Sequence, residues 1–228
     1  MKNLQNEDFN IHIISDIVLE PHISRYLEIY FGKTTKVHLI PYDEYTYEGY
    51  RKQIQCSDII IVWLNLSVSY AHIFDVPYAG SEHQIINEII SSCEKLYNDI
   101  SIYQNSQIMW FSFDDYFNIL FSVTGYRYNA LADTINTKLD KIFKDNVSVV
   151  DFKHIIAKVG ITKAYDSRGK YRWNAPYSRE VIESATKEIH KQYLVEKGVT
   201  KKCLVLDCDN VLWGGIISED GIYNIKLS

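Results

Sequence analysis

No apolar run in this sequence is longer than Ile59 to Leu64, far short of the ~20 residues that a membrane-spanning helix needs. Residues 1 to 10 are polar and lack the apolar centre of a secretory signal. Cysteine is sparse: Cys56, Cys93, Cys203 and Cys208 form neither a C-x-x-C pair nor a disulfide framework. Reduced thiols and a cytoplasmic location are the resulting expectation. The 24 Lys and Arg residues are outnumbered by 29 Asp and Glu, giving a net charge of −5. They are scattered, so no basic stripe offsets nucleic-acid phosphates. Internal repeats and low-complexity tracts are absent too. These gaps argue against a membrane protein, a secreted disulfide scaffold and a nucleic-acid binder.

What is present is an ordinary globular composition, 46% hydrophobic and 23% charged, in 228 residues. That length suits one large or two small domains and buries roughly 70% of the surface an unfolded chain exposes. The 18 tyrosines read as compositional bias or a tyrosine-rich surface.

Short β-branched runs at Ile11–Ile14, Val37–Ile40, Ile59–Leu64, Ile108–Phe111 and Val147–Val150 read as strands. Between them lie helical stripes: Ile23, Leu27, Tyr30; Tyr47 to Gln55; Ile85, Ile89, Cys93, Leu96; and Leu131, Ile135, Leu139. Ser81 with Gln84 forms a capping box before the third of these. Strands alternating with helices imply a parallel sheet covered on both faces, a three-layer α/β sandwich over residues 1–165. Residues 166–200 read as an ordered surface connection, "DSRGKYRWNAP", and a helix capped by Ser178 and ended by Gly198. Residues 201–228 open a second unit.

That unit begins with a strand, Leu204–Leu206, and places Asp207 at its C-terminal end, where open α/β sheets bind ligands. Asp209 follows two residues on. Two carboxylates so spaced can approach one phosphoryl group, one attacking phosphorus while the other protonates the leaving oxygen. Mg²⁺ is the hard cation expected to bridge carboxylate and phosphate. A bare D-x-D after a strand also reads as a simple turn cap.

The longer string "KCLVLDCDNVLWGG" followed by "EDG" resembles the first motif of the FkbH-like, subfamily IIIC branch of the haloacid dehalogenase superfamily. "DSRGKYRWNAPYS", "SDIIIVWLNL" and "NVSVVDFKHIIAKVG" resemble that family's connector and N-terminal strands. The resemblance implies Asp207 as nucleophile, Asp209 as acid/base and both as Mg²⁺ site residues. Cys208 departs from the usual aliphatic residue, and Val211 replaces a threonine hydroxyl. Later motifs (a Ser or Thr, a Lys, further acidic residues) do not occur before Ser228, so the chain is expected to be the opening portion of a longer protein, inactive alone. The family further implies an acyl phosphate as substrate, an acyl carrier protein as partner, and glyceryl transfer in polyketide-type biosynthesis. A thioester intermediate would need a thiol, and strand alternation puts Cys203 on the same side as Asp207. Cys203 reads first as a small core residue, since unpaired cysteine packs as a hydrophobe.

The same resemblance gives the first domain an SGNH-hydrolase-like, flavodoxin-like fold. Asp151-Phe152-Lys153-His154 matches that fold's D-x-x-H string, and Asn65 falls at its G-x-N-D asparagine, with Trp63 in place of glycine. Aligned on Asp16, the nucleophile position holds Ile17. Either Ser15 or another nearby serine is activated by His154, which Asp151 orients, or Asp151 is a helix cap, His154 a partly buried surface histidine and the domain a degenerate scaffold. Three functions follow: a Mg²⁺-dependent phosphatase or acyl-phosphate-using transferase, a carrier-protein or acyl-substrate binding module, and an SGNH-type esterase. The orphan C-terminal strand, unable to bury itself, could pair with a second copy in a homodimer.

Overall fold

The computed structural model describes residues 9–70, 82–114, 131–144, 146–199, 213–214 and 226–227. The chain divides into two compact units, Met1–Gln192 and Tyr193–Ser228. The first is built on a five-stranded, wholly parallel sheet. Its strands are β1 (Phe9–Ser15), β2 (Thr35–Pro41), β3 (Ile59–Trp63), β4 (Gln107–Phe111) and β5 (Val147–Val150). Between and after them run α1 (His22–Phe31), α2 (Glu48–Ile54), α3 (Leu66–Ser69), α4 (Glu82–Ile100), α5 (Leu131–Ile142), α6 (Phe152–Val159), α7 (Ile161–Ala164), α8 (Ser167–Trp173) and α9 (Arg179–Glu196). In the second unit, β6 (Trp213–Gly214) pairs antiparallel with β7 (Lys226–Leu227).

The pattern of apolar residues dictates the layers. Every residue of β3 is buried, as a central parallel strand covered on both faces must be. On one face Ile14, Ile60, Val62, Ile108 and Trp110 pack with the stripe of α4 (Ile85, Ile89, Cys93, Leu96) and with Leu131, Ile135 and Leu139 of α5. On the other, Trp63 and Phe111 meet Phe152 of α6 edge-on. On α1, Phe31 packs edge-on against His190 of α9, and the Tyr26 hydroxyl accepts from Arg179 Nε at 2.6 Å. The result is a three-layer α/β sandwich, the class that the sequence pattern implies.

The strand order is β2-β1-β3-β4-β5. The chain leaves β1 toward one edge and returns on its other side as β3. The connections therefore diverge between β1 and β3, and a crevice opens outside the strand ends there. Ser15 and Trp63, partners in the β1–β3 register, close the two strands at that crevice.

Within β1, His12 lies opposite His38 of β2 in register, the rings stacked at 4.6 Å. His12 is buried, with Nδ1 2.7 Å from the Ser57 hydroxyl. Burial, with His38 beside it, drives its pKa down to about 4.

The connector is more than a surface link. It contains α8, N-capped by the Asp166 carboxylate at Gly169 N and C-capped by Asn174 in the left-handed region. A bridge joins Tyr165 to Tyr177 across its base. Gly169 is required at the crossing, because a Cβ there would stand 2.5 Å from the Ala175 carbonyl oxygen. Ser81 of the expected capping box and the expected strand at Leu204–Leu206 lie outside the described residues.

Candidate functional site

Asp16 follows β1 directly and sits in the crevice. Asn65 N donates to both of its carboxylate oxygens, at 3.0 and 3.1 Å. Ser69 N donates to Oδ2 at 3.0 Å, and the Ser69 hydroxyl donates to the same oxygen. The donors thus come from the two ends of one helical turn, Asn65 just before α3 and Ser69 at its end, whose amide is shared between Asp16 and the Asn65 carbonyl. Part of the residue reaches solvent, yet the carboxyl group is enclosed. Burial pushes it up to about 6, against the opposing pull of the Ser69 and Asn65 hydrogen bonds. The connector grips the same residue from above: Asn174 Nδ2 donates to the Asp16 carbonyl at 2.7 Å, and Val18 N to the Asn174 carbonyl at 2.9 Å.

Ser15 is buried and its hydroxyl is spent on the main chain. Oγ donates to the Trp63 carbonyl at 2.9 Å, lies 3.2 Å from the Ile17 carbonyl, and accepts from Ile17 N at 3.2 Å. Asp151 and His154 are both exposed. The Asp151 carboxylate caps α6 by accepting from the His154 main-chain N at 3.0 Å, so it meets the backbone of that histidine. Among the described residues Ser15 and His154 share no hydrogen bond.

Asn65, the third member of the hydrolase-like set, is 3% exposed and its amide is committed as well. Nδ2 donates to the Tyr177 hydroxyl at 2.6 Å, and Tyr177 donates to Asp114 Oδ2 at 3.0 Å. Tyr165 donates to the other Asp114 oxygen at 2.5 Å. The Tyr177 ring lies over Trp63 with centroids 5.8 Å apart and edge-on to Phe152 at 4.9 Å, while Trp63 stacks flat on Phe111 at 4.2 Å. Burial, with Asp114 alongside, raises the Tyr177 hydroxyl far above its usual range, so it stays a donor. The space beside the asparagine holds aromatic rings from the connector.

Sequence reading treated Asp16 only as an alignment anchor and missed Tyr165, Asn174 and Tyr177. The expectation of a tyrosine-rich surface is corrected here: Tyr26, Tyr45, Tyr70, Tyr97, Tyr165 and Tyr177 are buried. A usable signal was the pair of tyrosines bracketing the polar connector. Asp114, three residues beyond the end of β4, is buried.

A cavity of about 650 Å³ adjoins Asp16. Its walls are the segment Ser15–Glu20, the end of β2 with the following turn (Leu39–Asp43), and Val68 and Ser69 of α3.

Asp207, Asp209 and Cys203 lie outside the described residues, as do Cys208 and Val211. Among the described residues no group of three or more His, Cys, Asp or Glu side chains converges to hold a metal ion. Cys56 is exposed, and Cys93 is buried with its thiol pushed up to about 12. No helix among the described residues is long and apolar enough to cross a membrane.

No family model matches the chain, and no curated protein matches it. Solved structures do. The N-terminal part of the protein BF1531 from Bacteroides fragilis, containing a phosphatase domain and complexed with Mg, superposes with a TM-score of 0.72 at 15% identity. The match covers 95% of this chain and 60% of that one, so the chain spans about 60% of that structure's length. The lipase Lip_vut3 from goat rumen metagenome gives a TM-score of 0.54 at 13% identity, covering 80% of this chain and 96% of the lipase. The first unit thus has the SGNH/flavodoxin-like α/β fold, shared with a lipase and with part of a phosphatase-domain protein.

Proposed function

We propose that this chain carries the opening of a phosphoryl-processing aspartate site at Asp207 and Asp209, and that its first unit is a binding scaffold and not a hydrolase. The phosphoryl half of the reading rests on the FkbH-like string at Lys202–Gly215. The observation that carries it furthest is the superposition of 95% of the chain on a structure that contains a phosphatase domain. In this reading the Asp207 carboxylate attacks the phosphorus of an acyl phosphate, and the P–O bond to the acyl oxygen breaks. Asp209 protonates the departing oxygen, and later takes a proton from the water that hydrolyses the aspartyl phosphate. Mg²⁺, when bound, would offset the phosphoryl charge. Transfer to an acyl carrier protein would instead take an acyl phosphate not yet hydrolysed: a thiol, with Cys203 the candidate relay, attacks the acyl carbon, the C–O bond breaks, inorganic phosphate leaves, and the glyceryl unit passes on as a thioester.

The scaffold half is supported by the spent groups of the hydrolase-like set. A serine donating to a main-chain carbonyl, an aspartate capping a helix and an asparagine donating to tyrosine leave no nucleophile–base pair. The lipase likeness favours an esterase only at the level of fold.

Phosphate release from an acyl phosphate, measured with the protein at its full natural length and Mg²⁺, tests the reading. Asp207→Asn should lower turnover by about 10³-fold or more. Ser15→Ala and His154→Ala should leave it unchanged. Ester hydrolysis lost in His154→Ala would reverse the ranking. Carrier-protein binding without phosphate release would leave only the binding module.

A further inference from the structure

The cavity beside Asp16 has a charge pattern that sets its ligand chemistry. Three carboxylates line it, those of Asp16, Glu20 and Asp43, and no Lys, Arg or His does so among the described residues. Apart from Ser15 and Ser69 the remaining walls are mainly apolar, with Ile17, Leu19, Leu39, Ile40 and Val68, and the Tyr42 ring at the β2 end. At about 650 Å³ it falls in the range of small-molecule sites. A negative, low-dielectric wall of this kind repels phosphates and carboxylates and concentrates cations.

The Asp16 hydrogen bonds leave one oxygen under-used. Among the described residues Oδ2 accepts from Asn65 N, Ser69 N and the Ser69 hydroxyl, whereas Oδ1 accepts only its share of the Asn65 N–H. An ionised carboxylate has about four acceptor sites, so Oδ1 retains capacity for a further donor. The backbone donors, Asn65 just before α3 and Ser69 at its end, fix the carboxylate in place, so a ligand meets an oxygen already oriented. The Tyr42 ring, stacked on Tyr45, adds an aromatic face of the sort that attracts ammonium and guanidinium groups.

We propose that this cavity binds a small organic cation, its ammonium or guanidinium head at Asp16 and its aliphatic or aromatic body against Leu39 and Val68. The site does not depend on the phosphoryl reading, and its charge excludes an acyl phosphate as occupant.

Isothermal titration calorimetry at pH 7.5 and low salt with 2-phenylethylammonium, 2-phenylethanol and phenylacetate tests it. The ammonium should bind saturably at least about tenfold tighter than the alcohol, and phenylacetate not detectably. On titration the Asn65 and Ser69 amide resonances should move. Val68→Trp, which fills the cavity, should abolish binding, and Asp16→Asn should weaken it at least about tenfold. If Asp16→Asn fails to fold, Glu20→Gln and Asp43→Asn decide, since both side chains are exposed. Each should weaken the ammonium at low salt, and the loss should shrink near about 0.5 M salt. Equal affinity for alcohol and ammonium, binding that survives Val68→Trp, or no saturable binding of the ammonium overturns the proposal.

Discussion

The two halves of the sheet's C-terminal edge have opposite fates. Beside β1 and β2 the edge is open, with a carboxylate-lined cavity and Asp16 held by main-chain donors. Beside β3 and β4 it is filled: Trp63, Phe111, Phe152 and Tyr177 pack ring on ring, and Asp114 is sealed under two tyrosine hydroxyls. In the filled half the Asn65 amide is committed to the Tyr177 hydroxyl. Room for a ligand and residues for ester chemistry have thus come apart, which is why a lipase-like fold here does not argue for a lipase-like activity.

The contrast breaks most severely at Tyr177. Tyr177→Ala removes a buried ring and leaves Asp114 and Asn65 short of partners. It should cost about 3–5 kcal/mol in urea unfolding, by the usual cost of aromatic truncation in a core. Tyr177→Phe keeps the ring and should cost roughly 1–3 kcal/mol, the penalty for an unsatisfied buried partner. Should the alanine variant prove as stable as the parent, the filled half is not a packed core.

The open half is best sharpened by pH. Asp16 is raised to about 6 in the fold from an ordinary value of 3.8, so its contribution is fully present below pH 4 and is lost as pH rises through 6. His12 is lowered to about 4 from 6.5, so its contribution is present above pH 6.5 and is lost as pH falls through 4. Each span is at most about 3 kcal/mol at 1.36 kcal/mol per pKa unit once solvent screening is allowed for, with opposite sign. Over pH 4 to 6 the two largely cancel. Asp16→Asn should expose a steep loss of stability on acidification, and His12→Gln should make the protein more stable as pH falls. Parallel pH profiles for the two variants would contradict this.

Gly169→Ala pushes a Cβ into the Ala175 carbonyl, so α8 must shift and the hold of Asn174 on Asp16 must loosen. A loss of about 1–3 kcal/mol, the range for overpacking, should appear together with movement of the Val18 amide resonance. The smallest effect belongs to Asp151→Ala, which removes only a helix cap and should cost about 1 kcal/mol. If this variant instead abolishes an esterase activity, the hydrolase-like set is functional.

Much of the scaffold was legible because its signals are local. The continuous run of β3 and the stripes of α4 and α5 show on their face how each element is buried, and strand–helix alternation fixes a parallel sheet. Asp151 as a cap was one of two readings that its D-x-x-H string allowed. The interior of the site was not legible. Asp16 draws its partners from Asn65, Ser69 and Asn174, up to 158 residues away, and nothing local to it marks that. Tyr177 carries its role through Trp63, Asn65 and Asp114, and a composition count gave no hint of it. The aspartate pair shows the reverse case. Asp207 and Asp209 announce themselves through their spacing and the string of neighbours around them.

His12 within β1 and Asp16 just beyond its end have exchanged their customary places on the acidity scale. Near pH 5 the unfolded chain carries an anionic aspartate and a cationic histidine, whereas in the fold neither residue is charged. Folding at that pH therefore shifts a proton from imidazole to carboxyl inside the molecule, with no net exchange with the buffer. A calorimetric folding enthalpy should accordingly be blind, as far as this pair is concerned, to the ionisation heat of whatever buffer surrounds it.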